Sequence, residues 1–239
     1  MNSKLKIAVC ISGDLRFFDI TSLVYQYWID SYTNIEFDFY VTSWNYNYKL
    51  EEYQFIKDYK ILKSINGQDV ESIKQRELKY SYSLFQCHEL RRQSRIKYDY
   101  VIQTRSDIVL KRSTLNFIFN TLISGIPQNC IMIPGTTNIV RGKGGIHHHL
   151  CDDNYSIADT LSMNKFSMMY YDAFVNKEHS DKTSGFHQIQ LEQARFRRLV
   201  IYSFPSQKKY IREKPMHNKA FEYKKLKENP SKLFNWIEI

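Results

Sequence analysis

Two short stretches place chemistry-bearing residue types at the ends of apolar runs. In Arg105-Ser106-Asp107 a cation and a carboxylate flank one residue after Tyr100-Val101-Ile102-Gln103-Thr104, so on an extended chain both point to the same side. Asp107 would suit a divalent cation that neutralises a diphosphate, or would accept from a ribose hydroxyl, with Arg105 bracing the site. An ordinary Arg–Asp pair capping a strand is the plainer alternative. Ser12-Gly13-Asp14-Leu15-Arg16 offers a hydroxyl, a turn-permitting glycine for close backbone approach and a planar guanidinium suited to phosphate. On its own this second stretch is equally a turn with a solvated arginine. His147-His148-His149 beside Asp152 and Asp153 has the residue types of a metal site, but adjacent histidines in a loop do not converge on one ion. It reads as an acceptor-side loop. The sequence contains no GxxxxGK[ST], no GxGxxG after the first strand and no GxSxG, which removes P-loop, dinucleotide-binding and nucleophile-elbow readings.

The elements that must position these residues follow from hydrophobic pattern. Lys6–Ile11 reads as a buried parallel strand ending at Ser12-Gly13, Thr21–Trp28 as a helix and Ile35–Val41 as a strand, together one β-α-β unit. Asp58–Leu62 is a further short strand. Ser72–Ser94, free of Pro and Gly, is a helix carrying Leu78, Tyr82, Phe85 and Leu90 along one face. Lys97–Asp107 is a second buried strand with its charges at the carboxyl end. Then come a helix at Thr114–Ile123, a strand at Asn129–Ile133, a Gly-containing loop at Pro134–Gly145, helices at Met163–Phe174 and His187–Arg198, and a strand at Leu199–Phe204. Such alternation implies an α/β fold with a mostly parallel central sheet flanked by helices, and ligands outside the carboxyl ends of its strands.

Composition sets the outer bounds. With 239 residues, 43% of them hydrophobic and 15% aromatic, the chain can bury a core and is not disordered. Apolar stretches fall far short of the roughly 20 residues a spanning helix requires. The start, Met1 to Lys6, runs straight into a strand with no apolar leader, which reads as a cytoplasmic protein. Cys10, Cys87, Cys130 and Cys151 show no CxxC or metal-finger spacing and read as free thiols. A formal charge of +9 fits nucleic acid, an anionic membrane or a phosphorylated substrate. No nucleic-acid motif accompanies it, so no nucleic-acid partner is expected. Residues 1–204 are read as one catalytic domain and 205–239 as a basic extension packing on it. Lys208, Lys209, Arg212, Lys214, Lys224, Lys225 and Lys227 of that extension are candidates for peripheral membrane contact.

The run Ile7 to Arg16, then Phe37-Asp38-Phe39-Tyr40-Val41-Thr42-Ser43-Trp44, then Tyr98 to Asp107 resembles the WavE-type lipopolysaccharide-synthesis proteins and related bacterial and viral glycosyltransferases. Asp152-Asp153-Asn154-Tyr155-Ser156-Ile157-Ala158 is similar to a later aspartate-aromatic segment of that family, so the resemblance spans about residues 5 to 203. It implies a GT-A-like fold and transfer of a hexosyl or deoxyhexosyl group from a nucleotide-diphosphate sugar to a glycan or lipid-linked acceptor. It also implies a divalent cation, Mn or Mg. By position, Ser12, Gly13, Arg16 and Arg105 would lie by the donor nucleotide and Asp107 would be the metal-binding aspartate. Asp153 would face the sugar or acceptor and serve as the first candidate base, with Glu192 as the second. Departures are Gln103 where the family often has Arg, Ala158 for Gly, and no acidic-x-acidic triplet at Asp107. The rival readings are a nucleotidyltransferase, an inactive nucleotide-sugar binder and a basic nucleic-acid-binding module.

Overall fold

The computed structural model describes residues 4–44, 47–134, 140–142, 145–147, 155–168, 170–176, 194, 197–204, 208–213 and 220–238. In chain order the elements are β1 (Leu5–Ser12), α1 (Phe18–Ser31), β2 (Ile35–Ser43), β3 (Ile56–Ile61), β4 (Ser64–Ile65), β5 (Gln68–Asp69), α2 (Arg76–Gln93), β6 (Tyr100–Thr104) and β7 (Ile108–Leu110). There follow α3 (Arg112–Ser124), β8 (Cys130–Pro134), β9 (Val140–Gly142), β10 (Gly145–His147), β11 (Tyr155–Asp159), α4 (Thr160–Phe166) and β12 (Val200–Phe204). The chain finishes with β13 (Lys208–Arg212), β14 (Ala220–Glu222), α5 (Tyr223–Glu228) and α6 (Ser231–Glu238).

Seven strands form the central sheet in the order β12-β8-β11-β6-β1-β2-β3. All neighbours are parallel except β11, which runs antiparallel to both β6 and β8. Ile7 to Ser12 are buried without interruption, as expected of a strand covered on both faces. On one face, Ile7, Val9, Ile11, Phe39 and Val41 pack against α1, α3 and the C-terminal helices, through side chains that include Phe18, Trp28, Phe119, Leu226 and Leu233. On the other, Ala8, Cys10, Tyr40 and Val101 meet Cys87 of α2 with Met163 and Phe166 of α4. The result is an α/β fold with helices on both sides of a mostly parallel sheet. Among the described residues no helix is long and apolar enough to cross a membrane. Cys10, Cys87 and Cys130 are buried free thiols.

Several expectations shift. The strand expected over Lys97–Asp107 ends at Thr104; the chain leaves the central sheet at Arg105 and resumes as β7 in a separate three-stranded sheet, β14-β13-β7. The helix expected over Met163–Phe174 stops at Phe166, after Asp159 has capped its start by accepting from the N–H groups of Leu161 and Ser162, and a separate π-turn covers Tyr171–Val175. β11 emerges as a central strand where only a motif was visible. Most of the helix expected over His187–Arg198 and of the loop at Pro134–Gly145 lies outside the described residues, as do Cys151, His148 and His149.

The C-terminal extension joins the same core. β13 pairs antiparallel with β7, and Leu233 and Ile237 of α6 are fully buried in the cluster that contains β1. Leu233→Ala should therefore lower unfolding stability by about 2–4 kcal/mol, read as a reduced urea midpoint; an unchanged midpoint would show that α6 is not part of the core.

Candidate functional site

Strand order creates the site. From β1 the chain builds outward through β2 and β3, then returns to place β6 on the opposite side of β1, so the connections after β1 and β6 diverge and leave a crevice at the carboxyl ends of the strands. A cleft of about 660 Å³ opens there, lined by Ser12, Gly13, Asp14 and Arg16 after β1, Trp44 after β2, Arg105 and Asp107 after β6, Arg212 of β13, and Arg76, Glu77, Lys79 and Tyr80 of α2. Ser12, Gly13, Arg16, Arg105 and Asp107, five residues singled out from sequence, meet in this one cleft. Asp153 and Glu192 lie outside the described residues.

The loop after β1 is shaped by two left-handed positions, Gly13 at φ 112° and Phe17 at φ 62°. Gly13 bears the first without a steric penalty; Phe17 is a bulky residue there and must be held by its surroundings. Its ring lies 4.7 Å from that of Tyr223, whose hydroxyl donates to Asp19 at 2.7 Å. The Gly13 N–H reaches both the Ser83 hydroxyl at 3.0 Å and the Thr42 carbonyl at 3.1 Å. Ser106 donates to the Asp14 carbonyl at 2.9 Å, which joins the two site loops directly. Arg16 reaches back to Asp14, Nε to Oδ2, at 2.7 Å. The Ser12 hydroxyl, 2% exposed and on the cleft wall, has no hydrogen-bond partner among the described residues.

Asp107 is buried at the centre of a cationic cluster. Arg105 donates to it in bidentate fashion, Nε to Oδ1 at 3.0 Å and Nη2 to Oδ2 at 2.9 Å, and Arg212 Nη1 donates to the same Oδ2. The strand-end Arg–Asp pair foreseen as the plainer alternative therefore exists, with a third member from the distant C-terminal segment. Burial pushes the Asp107 carboxyl upward, but the charges and hydrogen bonds of Arg105 and Arg212 outweigh it and hold the group below the usual carboxylate range. Nearby, burial and then the Arg105 charge bring Lys208 down to about 7. Five cations against three carboxylates line the cleft, a surplus of two positive charges.

α2 supplies what the sequence reading missed. The helix starts at Arg76, not Ser72, so its first turns and positive dipole end lie at the cleft. Its buried residues mix Ser81 and Ser83, the latter serving the loop backbone, with Leu84, Phe85 and Cys87; Phe85, with Leu78 and Tyr82 beside it, packs against Ile65, Val70 and Tyr170. Lys79 Nζ lies 5.7 Å from the Trp44 ring centre. Helical spacing of i, i+3 and i+4 puts Arg76, Lys79 and Tyr80 on one side, a signal already contained in the helix expected over Ser72–Ser94. Nothing local marks Arg212.

A divalent cation at Asp107 does not fit these residues. Both carboxylate oxygens are engaged by guanidinium groups, so an incoming dication would face two like charges. Among the described residues no group of three His, Cys, Asp or Glu side chains could hold a metal ion.

The depressed Asp107 carboxyl contributes stability that is fully present above the unfolded value near 4 and is lost as pH falls through the lower folded value. Asp107→Asn should therefore cost about 3 kcal/mol at pH 7, the low end for a broken buried pair because both guanidiniums keep some solvent contact. The gap to the parent protein should narrow below about pH 4; a gap independent of pH in chemical unfolding would refute the electrostatic account.

No family model matches the chain, and no curated protein matches its sequence. Among solved structures it is similar to a glycosyltransferase involved in the glycosylation of the major capsid of PBCV-1, at 11% identity over 84% of this chain and 81% of that one, TM-score 0.46. It is also similar to the galactosyltransferase LgtC in complex with donor and acceptor sugar analogues, at 11% identity over 79% and 70%, TM-score 0.45. A further match is a chain from Bacillus anthracis described as a glucose-1-phosphate thymidylyltransferase, at 8% identity over 87% and 89%, TM-score 0.43. At such identities and scores the likeness is one of layout only.

Proposed function

We propose that the chain is a cytoplasmic glycosyltransferase whose cleft binds the diphosphate of a nucleotide-sugar donor and passes the sugar to a glycan or lipid-linked acceptor. The observation that carries this reading is the convergence of Arg16, Arg105, Arg212, Arg76 and Lys79 around a cleft at the switch point of the sheet, with Trp44 and Tyr80 on the same wall. A nucleotide-diphosphate sugar carries two negative charges at neutral pH, matching the surplus of the lining. The aromatic rings offer flat faces to a base or sugar. The WavE-type likeness of the three sequence motifs, all of which reach the cleft, supports the same assignment.

In this reading the arginines do most of the chemistry. As the bond between the sugar and the diphosphate breaks, negative charge grows on the leaving group, and preformed guanidinium donors stabilise it without reorganising. The Ser12 hydroxyl, lacking a partner on the cleft wall, would donate to a phosphate oxygen. An inverting reaction needs a carboxylate base at the acceptor hydroxyl; Asp153, with Glu192 behind it, is the proposed base. Membrane contact by the basic extension draws no support from its geometry. Lys209 Nζ lies 4.6 Å from the Phe221 ring centre, Arg212 bonds Asp107, and Lys225 pairs with Glu222 at 2.7 Å.

The test is a thermal-shift screen with nucleotide sugars, followed by product analysis on the best ligand. A productive donor at about 100 times its Kd should stabilise the protein by about 2.7 kcal/mol, a rise of about 5–11 °C in Tm. Arg16→Ala should raise Kd tenfold or more, which lowers the stabilisation at the same ligand concentration to about 1.4 kcal/mol or less. Release of nucleoside diphosphate from the nucleotide sugar identifies the transferase, whereas no such release, with pyrophosphate formed instead from a nucleoside triphosphate and a sugar 1-phosphate, would replace it with a nucleotidyltransferase. Absence of any shift across the panel would overturn nucleotide-sugar binding.

A further inference from the structure

The Asp107 cluster suggests how the diphosphate is neutralised, an inference that rests on the donor-binding reading above. A divalent cation normally acts by bringing concentrated positive charge to oxygens that repel one another. The residues at the carboxyl end of β6 cannot easily recruit one. Asp107 is 4% exposed and meets Arg105 through two bonds and Arg212 through a third, while Asp14, another carboxylate on the cleft wall, is bonded by Arg16. The two guanidiniums are different in kind from solvated surface arginines. Their side chains keep 30% and 34% exposure, and both line the cleft. Each is thus held by Asp107 and still keeps exposed surface on the cleft wall.

The clamp reaches the backbone as well. The Ile211 N–H donates to the Asp107 carbonyl at 3.0 Å, so the residue before Arg212 is fixed to the residue that Arg212 bonds. β13 is held in register beside β7, with Tyr210 opposite Ile108. Such a double attachment fixes both the position and the direction of the Arg212 fork. Two guanidiniums sharing one carboxylate carry a net single positive charge and lie within one salt bridge of each other. Each can still present a planar donor edge to a phosphate oxygen.

We propose that Arg105 and Arg212, held as a pair by Asp107, take the place of a divalent cation at the diphosphate. Donor binding then needs no metal, and Arg212 is a ligand-binding residue supplied by the C-terminal extension. Asp107 is a positioning residue in this scheme; it holds the two forks and does not touch the ligand.

The experiment is titration calorimetry of the full chain with ADP, GDP, CDP, UDP and TDP as probes, each in EDTA and again with excess Mn²⁺ or Mg²⁺. For the nucleotide that binds, Kd in EDTA should lie within about threefold of the value with metal. Arg212→Gln, at a half-buried position where folding is checked by circular dichroism, should weaken binding at least tenfold in both conditions. Asp107→Asn should weaken it equally with and without metal, whereas a metal-ligand role would confine its effect to the metal-containing titrations. Asp107→Glu should recover part of the loss, because it restores the charge that gathers the two forks. Binding that appears only with Mn²⁺ or Mg²⁺, or that survives Arg212→Gln unchanged, overturns this inference and leaves donor binding intact. No binding by any of the five nucleotides in either condition overturns donor binding itself, and this inference with it.

Discussion

A single buried carboxylate organises the functional end of this protein. Asp107 sits where the chain leaves the central sheet, and a lone charge there would be expelled or protonated. Two arginines make its burial tolerable, one two residues away and one 105 residues away in sequence. The same bonds that stabilise the carboxylate aim the guanidiniums into the cleft. Stability and the arrangement of the cleft's cations are thus coupled through one set of atoms, and a change that loosens one loosens the other.

Around that cluster the fold supplies rigidity from several directions. Gly13 is held by Ser83 of α2 and by Thr42 of β2, Ser106 ties the two loops together, and Phe17 is pressed into its unusual backbone conformation by Tyr223. Apart from Gly13, none of these residues lines the cleft. They fix the loops that do, so the cleft is preformed, and little ordering entropy is left to be lost on binding.

The sequence was legible where local pattern and burial agree. β1, β2 and the apolar part of β6 announce themselves because central parallel strands are apolar on both faces, and the polar residues just after them had to lie at the carboxyl edge. Ser12, Gly13, Arg16, Arg105 and Asp107 could accordingly be brought together on paper. The helix start was less visible, since Ser72-Ile73-Lys74-Gln75 mixes polar residues with a buried apolar one as a first turn does, and no side-chain cap marks Arg76. β11 was hidden behind an aspartate-rich motif whose polar start masked the buried Tyr155-Ser156-Ile157-Ala158. Arg212 was beyond reach for a different reason. In a segment crowded with lysine and arginine, only a non-local strand pairing selects one cation, and periodicity carries no information about which strands will pair.

The separation between Asp107 and Arg212 also orders events in time. Closing a loop of that length carries an entropic cost that only the completed core can offset, so the pairing of β13 with β7 is a late step. On a ribosome adding roughly 5–20 residues per second, Arg212 is made roughly 5–20 s after Asp107. During that interval the aspartate has Arg105 as its partner and lacks the other. β1 and β2 are made well before Arg212, so the cleft acquires its full charge only after the C-terminal segment, which also completes the core over β1, has been synthesised.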